Sequence, residues 1–323
     1  MRNAHVMVSG ANRSRKSALL SMAAVVAAPA LVRAQAGEKI RISAVPTDDM
    51  TPIYWAAKTG MYAKAGIDLE IIPVSSGSAS TAAVISGAYE MGKASPIAAI
   101  LGHLKNLPVT IIANGSMHQI GDKWSGMVVA ADSPIKTGAD CNGKIGAAAG
   151  LNDINQMAML AWIDKNGGDS KTTKWVEIPA SATTPALAEH RVDFSILNEP
   201  LLTAGLESGK VKLLGDGFSA FASRWLTSAY LAQPDFANKH ADLMKRFQRI
   251  TYESATYTNA HESETVALMS EASKIPPATF AKMNRIEGAT SGDPSLTGQV
   301  IDGIAKFKLI PKPFPAREMY WSG

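Results

Sequence analysis

From Lys39 onward the chain alternates short apolar runs with helix-patterned runs, and no other feature constrains its fold as strongly. "KIRISAV" (Lys39–Val45) has period-2 apolar positions Ile40 and Ile42 and reads as a strand. "TPIYWAAKTGMYAKAG" (Thr51–Gly66) reads as one helix, with Pro52 in its first turn and Gly66 at its exit. A strand "IDLEIIPV", a short helix capped by Ser78 or Ser80 and ending near Gly87, and a brief strand "YEMGKA" follow. "SPIAAILGHLKN" is predicted helical, with Ser95 as cap and Pro96 at the first position. "LPVTIIAN" (Leu107–Asn114) is a nearly all-apolar strand, as expected where helices cover both sheet faces. "SMHQIGDKWSG" breaks the rhythm, and "GMVVAAD" opens a second cycle: "GKIGAAAG", "KWVEIP", "VDFSIL" and "VKLLGD" as strands, with helices between them. "RWLTSAYLA" (Arg224–Ala232) is a long strand returning to the first unit, and four helical stretches complete the chain. Strands alternating with helices imply parallel sheets with right-handed crossovers.

The first 36 residues stand apart. A basic head (Arg2, Arg13, Arg15, Lys16), the apolar run "ALLSMAAVVAAPALV" and "RAQA" read as a secretory signal cleaved after Ala36. The run is shorter than the ~20 residues of a bilayer span. Lys16 stands where a twin-arginine signal has its second arginine, which favours general secretion. The leader holds five of the 32 Lys and Arg and none of the 28 Asp and Glu, so residues 37–323 carry 27 basic and 28 acidic groups. No basic excess is left there to favour nucleic acid. Cys141 alone supplies no disulfide framework, and the six histidines show no metal-ligand spacing. Metal and cofactor are expected to be absent. Some 287 residues exceed one typical domain, and two lobes are expected: 37–120 with 228–323, and 121–227.

The strand-to-helix junctions carry the functional signal. "PTDDM", "SSGSAS", "ASP", "AGLND" and "LNEP" place small or polar residues where strands end and helices begin. In open parallel sheets such junctions converge on one crevice, where free N–H groups and helix dipoles bind polar or anionic groups. Any one junction is also an ordinary helix cap.

"PIYWAAKTGMYAKAGIDLEIIPVSSGSASTAAVISGAYEMGKASPIAAIL" resembles the first lobe of ABC-transporter substrate-binding proteins of the nitrate/sulfonate/taurine type, and "VDFSILNEP" and "GKIGAAAG" resemble second-lobe elements of that family. The resemblance covers residues 38–315. It implies an α/β, two-lobed periplasmic-binding-protein (Venus-flytrap, type II) fold with parallel-rich mixed sheets. It further implies a non-enzymatic periplasmic monomer that closes on a small polar organic solute and hands it to a membrane permease without inserting into the membrane. By motif position the ligand-binding candidates are Asp48, Asp49, Ser76, Gly77, Ser78, Ser95, Ser116, Asn152, Asn198 and Glu199. The acidic pair Asp48–Asp49 departs from the family's anion binders. Facing the cleft, it suits an amine, amide or heterocycle; the alternative is capping of the helix at Pro52.

Trp55, Tyr54 and Trp225 read as core aromatics before they read as stacking platforms. Two rival functions share the architecture. An enzyme of the same fold group acting on a small heterocycle is one, although no G-x-S-x-G, H-E-x-x-H or Walker motif occurs and one cysteine cannot form the cysteine-rich segment of a pyrimidine synthase. A periplasmic sensor module is the other.

Overall fold

The computed structural model describes residues 37–323, and the predicted leader lies outside them. The first lobe begins with β1 (Glu38–Ala44), the helices α1 (Thr51–Lys58) and α2 (Met61–Lys64), β2 (Ile67–Pro73), α3 (Gly77–Ile85), β3 (Met91–Ala94), α4 (Pro96–Leu104) and β4 (Thr110–Gln119). The second comprises β5 (Ser125–Ala130), β6 (Ile145–Ala148), α5 (Ile154–Lys165), β7 (Lys174–Glu177), α6 (Ala180–Ala188), β8 (Phe194–Asn198), α7 (Leu201–Glu207), β9 (Val211–Gly215) and α8 (Gly217–Phe221). β10 (Arg224–Ala232) returns to the first sheet. It is followed by α9 (Pro234–Lys239), α10 (Ala241–Ala260), α11 (Glu262–Ser273), α12 (Pro277–Phe280) and α13 (Ser295–Lys306).

Each lobe is built on a five-stranded sheet, with order β2-β1-β3-β10-β4 in the first and β7-β6-β8-β5-β9 in the second. β1 is parallel to β2 and β3, and β6 to β7 and β8. β10 runs antiparallel to both its neighbours, as does β5. The reversed strand in each sheet is the one that has just arrived from the other lobe. The sheets are therefore mixed, not purely parallel as the alternation alone implies, because a strand entering from the far side inserts head to tail.

Patterning explains the packing. Ile40 and Ile42 of β1 are fully buried beside Met50, Ile53, Met91 and Phe247 of α10 in one core. Val128, Ala147, Leu187, Leu197 and Leu202 form a smaller second-lobe core. A third cluster runs from α4 and α13 through Trp225, Phe218 and Trp124 to Trp162 of α5, joining the lobes at the crossing. Phe218 packs edge-on against Trp124 with ring centroids 4.9 Å apart.

Several elements differ from the sequence expectation. The helix predicted over 51–66 is divided at Thr59–Gly60, where Gly60 adopts φ 73°, a left-handed conformation that ends α1. The strand predicted to end at Asn114 starts at Thr110 and continues through Gln119. Its polar continuation is tolerated because Ser116 and His118, both 1% exposed, find hydroxyl partners. The third of the four C-terminal helical stretches, "PATFAKMNRI" (277–286), is helical only to Phe280. α8 and α9, five and six residues long, are too short for periodicity to reveal.

Candidate functional site

The carboxyl ends of the parallel strands in both lobes face one cavity of about 470 Å³. Its first-lobe wall centres on a buried ion pair. Lys93 of β3 reaches Asp49 of the turn after β1, and the two side chains are 8% and 9% exposed. The hydroxyl of Thr47 donates to Asp49 Oδ1 at 2.6 Å, and Ser116 Oγ donates to Oδ2 at 3.1 Å. Ser116 Oγ lies 2.8 Å from Thr227 Oγ1 and 2.7 Å from Ser228 Oγ of β10. Burial pushes the Asp49 carboxyl up, but the Lys93 charge and hydrogen bond, with the Thr47 hydrogen bond, outweigh it and hold the group below its ordinary value. The wall is thus charge-compensated and rich in hydroxyls that can donate or accept.

Above this floor lies the junction "VSSGSAS", whose serines divide the labour. Ser76 is the cap of α3, its hydroxyl accepting from Ala79 N at 3.2 Å. Ser80, fully buried, donates to Ser43 O at 2.8 Å and pins the helix on β1. Ser78 lines the cavity, 3.0 Å from Ser76 Oγ. Ser80 N bonds Ser76 O, so the N–H groups of Gly77 and Ser78 precede the first intrahelical bond and face the cavity end of the helix. Gly77 borders the cavity, and a Cβ there would meet Ala94 and Ser95 N at 3.6 Å, an ordinary contact with the first lobe itself. Ser95 caps α4 as expected and also lines the cavity.

The second-lobe wall is looser. Asn152 stands in the loop before α5 with φ 61°, its N–H donating to Gln156 Oε1. The cap of α5 is Asp153, which accepts from Gln156 N at 2.8 Å. Burial chiefly, and then the Glu177 charge, raise the Asp153 carboxyl to about 6 against the backbone N–H groups that lower it. Asn198, at the end of β8, donates to Asn155 Oδ1 at 3.3 Å, while its own Oδ1 has no partner among the described residues. The two walls approach each other at the mouth, where a Cβ on Gly150 would lie 3.8 Å from Ser78 Oγ. Trp124, Phe218 and Ile286 line the cavity near the inter-lobe crossing, and Ile85, Leu101, Leu107 and Lys105 line it as well.

Of the ten candidates, Asp49, Ser76, Gly77, Ser78, Ser95, Ser116, Asn152 and Asn198 border this cavity. Asp48 and Glu199 do not. Asp48 is fully buried beneath Arg285, whose Nε lies 2.9 and 3.1 Å from its two oxygens, and it also accepts from Ile286 N at 2.8 Å. Neither acid caps α1, whose N-cap residue is Met50 and has no side-chain cap bond. Glu199 is buried outside the cavity, accepting from Thr203 N and Thr203 Oγ1 of its own lobe and from Asn284 N after α12. Thr47, Lys93, Trp124, Asp153, Phe218, Thr227 and Ser228 were not among the candidates. Lys93 had a readable signal, being a lysine inside "MGKA", an otherwise small and apolar strand. Trp55 stacks on Tyr257 at 5.3 Å and Trp225 is fully buried, so these two have structural places.

No group of three or more metal-ligating side chains occurs among the described residues. None of the described helices is long and apolar enough to cross a membrane.

Known proteins share this architecture. The periplasmic aliphatic sulphonate-binding protein SsuA of Escherichia coli superposes with a TM-score of 0.70 at 19% identity, over 88% of this chain and 92% of that one. A ligand-binding component of an ABC-type import system from Staphylococcus aureus gives 0.75 at 15% identity, over 88% and 96%. The periplasmic nitrate-binding protein NrtA of Synechocystis PCC 6803 gives 0.65 at 15%, over 75% and 69%. No curated protein sequence matches the chain. These likenesses establish the two-lobed periplasmic-binding-protein fold. The NMT1/THI5-like family pattern matches residues 47–265, more than half of the sequence, and the chain belongs to that family.

Proposed function

We propose that this protein is the periplasmic solute-binding component of an ABC importer, capturing a small polar organic solute between its lobes by hinge closure. The observation that carries this reading is the cavity of about 470 Å³ lined by strand ends and helix starts of both lobes. Such a volume lies in the range of organic-ligand pockets. An inorganic anion would leave most of it unfilled. The hinge follows from connectivity: the chain passes between the sheets only at 120–124 and 216–223. On this reading the lobes are those expected, 37–120 with 228–323 and 121–227, except that 224–227 join the first sheet at the start of β10; the leader directs export, and the monomer meets a membrane permease.

Electrostatics narrow the solute class. Lys93 compensates Asp49, and Asp48 is compensated by Arg285 outside the cavity. The groups left to recognise a solute are hydroxyls, the N–H groups of α3, Asn198 and Asp153, together with the Lys105 ammonium. Such a set favours a neutral or amine-bearing solute with both donors and acceptors, an amide or a nitrogen heterocycle, over a simple anion. Among the described residues, no histidine lines the cavity beside these acids.

A thermal-shift screen over amines, short amides, pyrimidines, aromatic acids and sulfonates tests the reading. A solute at a hundred times its dissociation constant stabilises by ~2.7 kcal/mol. We expect amides or heterocycles to give the largest shifts. A shift with sulfonates alone would overturn the solute class, and no shift with any member would count against solute capture in this cavity.

A further inference from the structure

Two buried charged groups of the cleft region, Glu199 and Arg285, take no part in lining the cavity, and both belong to one contact. The segment Lys282–Ala289 lies across the crossing on the side of the first lobe. Its C-terminal half is bonded to that lobe: Ala289 N donates to Gly115 O at 2.9 Å, Gly288 N to Asn259 Oδ1 at 3.0 Å, and Arg285 and Ile286 N hold Asp48. Its N-terminal half packs Met283 with Met269 and Phe280 but also reaches the second lobe: Asn284 N donates to Glu199 Oε1 at 3.3 Å, and Lys282 Nζ pairs with Glu207 Oε1 at 2.5 Å. Asn284 and Arg285 are consecutive, yet their bonds belong to different lobes. Neighbouring Cα atoms are ~3.8 Å apart, so the segment has no slack at this point. If the lobes separate here, one set of bonds breaks.

Magnitudes say which. The Arg285–Asp48 pair is bidentate and nearly inaccessible, with side chains 8% and 0% exposed; losing one partner of such a pair strands a buried charge. Lys282 and Glu207 are 62% and 42% exposed, and a pair of that kind contributes little. Glu199 keeps both Thr203 bonds after Asn284 leaves, so its release strands no charge without partners. The second-lobe side is the one that lets go.

We propose that Glu199 is a positioning residue that clasps the Lys282–Ala289 strap to the second lobe, a reversible third link between the lobes beside the two covalent crossings. The clasp bears on the cavity through Ile286, which lines it, and through Asp48, whose capture by the strap leaves Asp49 alone facing the solute. Burial raises the Glu199 carboxyl above its ordinary value, against the lowering bonds from Thr203 and Asn284, in keeping with a group placed for contact and not for solvation. The inference rests on the proposed lobe motion but needs no solute to be tested.

Spin labels on Lys58→Cys in the first lobe and Lys171→Cys in the second, both exposed sites, report the inter-lobe distance in the full protein. The native Cys141 is buried. Glu199→Ala is expected to lengthen and broaden the distance distribution in solute-free protein. Lys282→Glu, an exposed substitution that places like charges together, is expected to act in the same direction and guards against a folding failure of the first variant. Glu199→Gln, which keeps Oε1 as acceptor, is expected to restore most of the parent distribution. A threefold fall in the closed fraction should weaken binding of any solute found in the thermal screen about threefold. Parent-like distributions in both Glu199→Ala and Lys282→Glu, with only a lowered melting temperature, would reduce Glu199 to a structural role and overturn the clasp. A parent whose lobes fail to close on any solute would instead count against the proposed function, and the solute-free comparison would still decide the clasp.

Discussion

The two walls of the cleft are built on opposite principles. In the first lobe Asp49, Lys93, Thr47, Ser116, Thr227 and Ser228 bond to one another, and the ion pair is nine-tenths buried. In the second, an exposed left-handed Asn152, the raised Asp153 and Asn198, whose buried side-chain oxygen has no partner among the described residues, border the same space. A wall whose polar groups satisfy one another is a stable part of the fold before a solute arrives. A wall with spare hydrogen-bonding capacity has more to gain from the solute. On the proposed function, the first lobe presents a fixed surface, and the second supplies the groups whose satisfaction would drive closure.

The sharpest break in this contrast is Lys93→Ala. It strands Asp49 as a buried, unpaired carboxylate, and breaking such a pair costs about 3–5 kcal/mol. Denaturant unfolding should show a loss of that order. Asp49→Asn combined with Lys93→Met should recover most of it, because no charge is left buried. Asn198→Ala in the opposite wall removes an oxygen that has no partner, and is expected to change stability by less than about 1 kcal/mol. Its effect should appear as weaker solute binding by calorimetry. Equal stability losses in the two walls would erase the distinction.

The serines of α3 sharpen it next. Ser76→Ala removes a cap and should lower stability by ~1 kcal/mol. Ser78→Ala removes no cap and should leave the melting temperature nearly unchanged while reducing solute affinity. Gly77→Ala should be tolerated in both respects, since its Cβ would meet Ala94 and Ser95 at ordinary distance.

The remaining effect concerns pH. Asp153 has its folded-state value raised to about 6, so the fold favours the protonated form. Its contribution to stability is fully present below the unfolded carboxylate value and is lost as pH rises through about 6. Asp153→Asn, which retains a good cap, should match the parent near pH 4 and melt above it beyond pH 6. A constant difference across that range would mean that Asp153 titrates normally.

The residues that were readable in advance share a physical reason. Ser76, Ser78, Ser95 and Asn152 sit at strand-to-helix junctions, and local chemistry marks such junctions through caps, glycine and proline. The first-lobe strands and α10 were legible because one face alternates or repeats strongly; the boundaries Ala241–Ala260 emerge from that face alone. What was illegible depends on distant partners. Nothing local distinguishes Asp48 from Asp49, since only Arg285, 237 residues away, takes one of them out of the cleft. Thr227 and Ser228 reach the site because β10 inserts beside β4 after the whole second lobe intervenes. Glu199 follows a strand just as a site residue does, and only the strap after α12 reveals its other use.

Small-angle scattering of the protein with and without a saturating solute from the thermal screen tests the central claim, that solute joins the two walls across the cavity. Closure by hinge motion predicts a smaller radius of gyration in the bound protein, with Ser78→Ala and Asn198→Ala needing more solute to reach the same contraction. An unchanged radius at full occupancy would contradict the account.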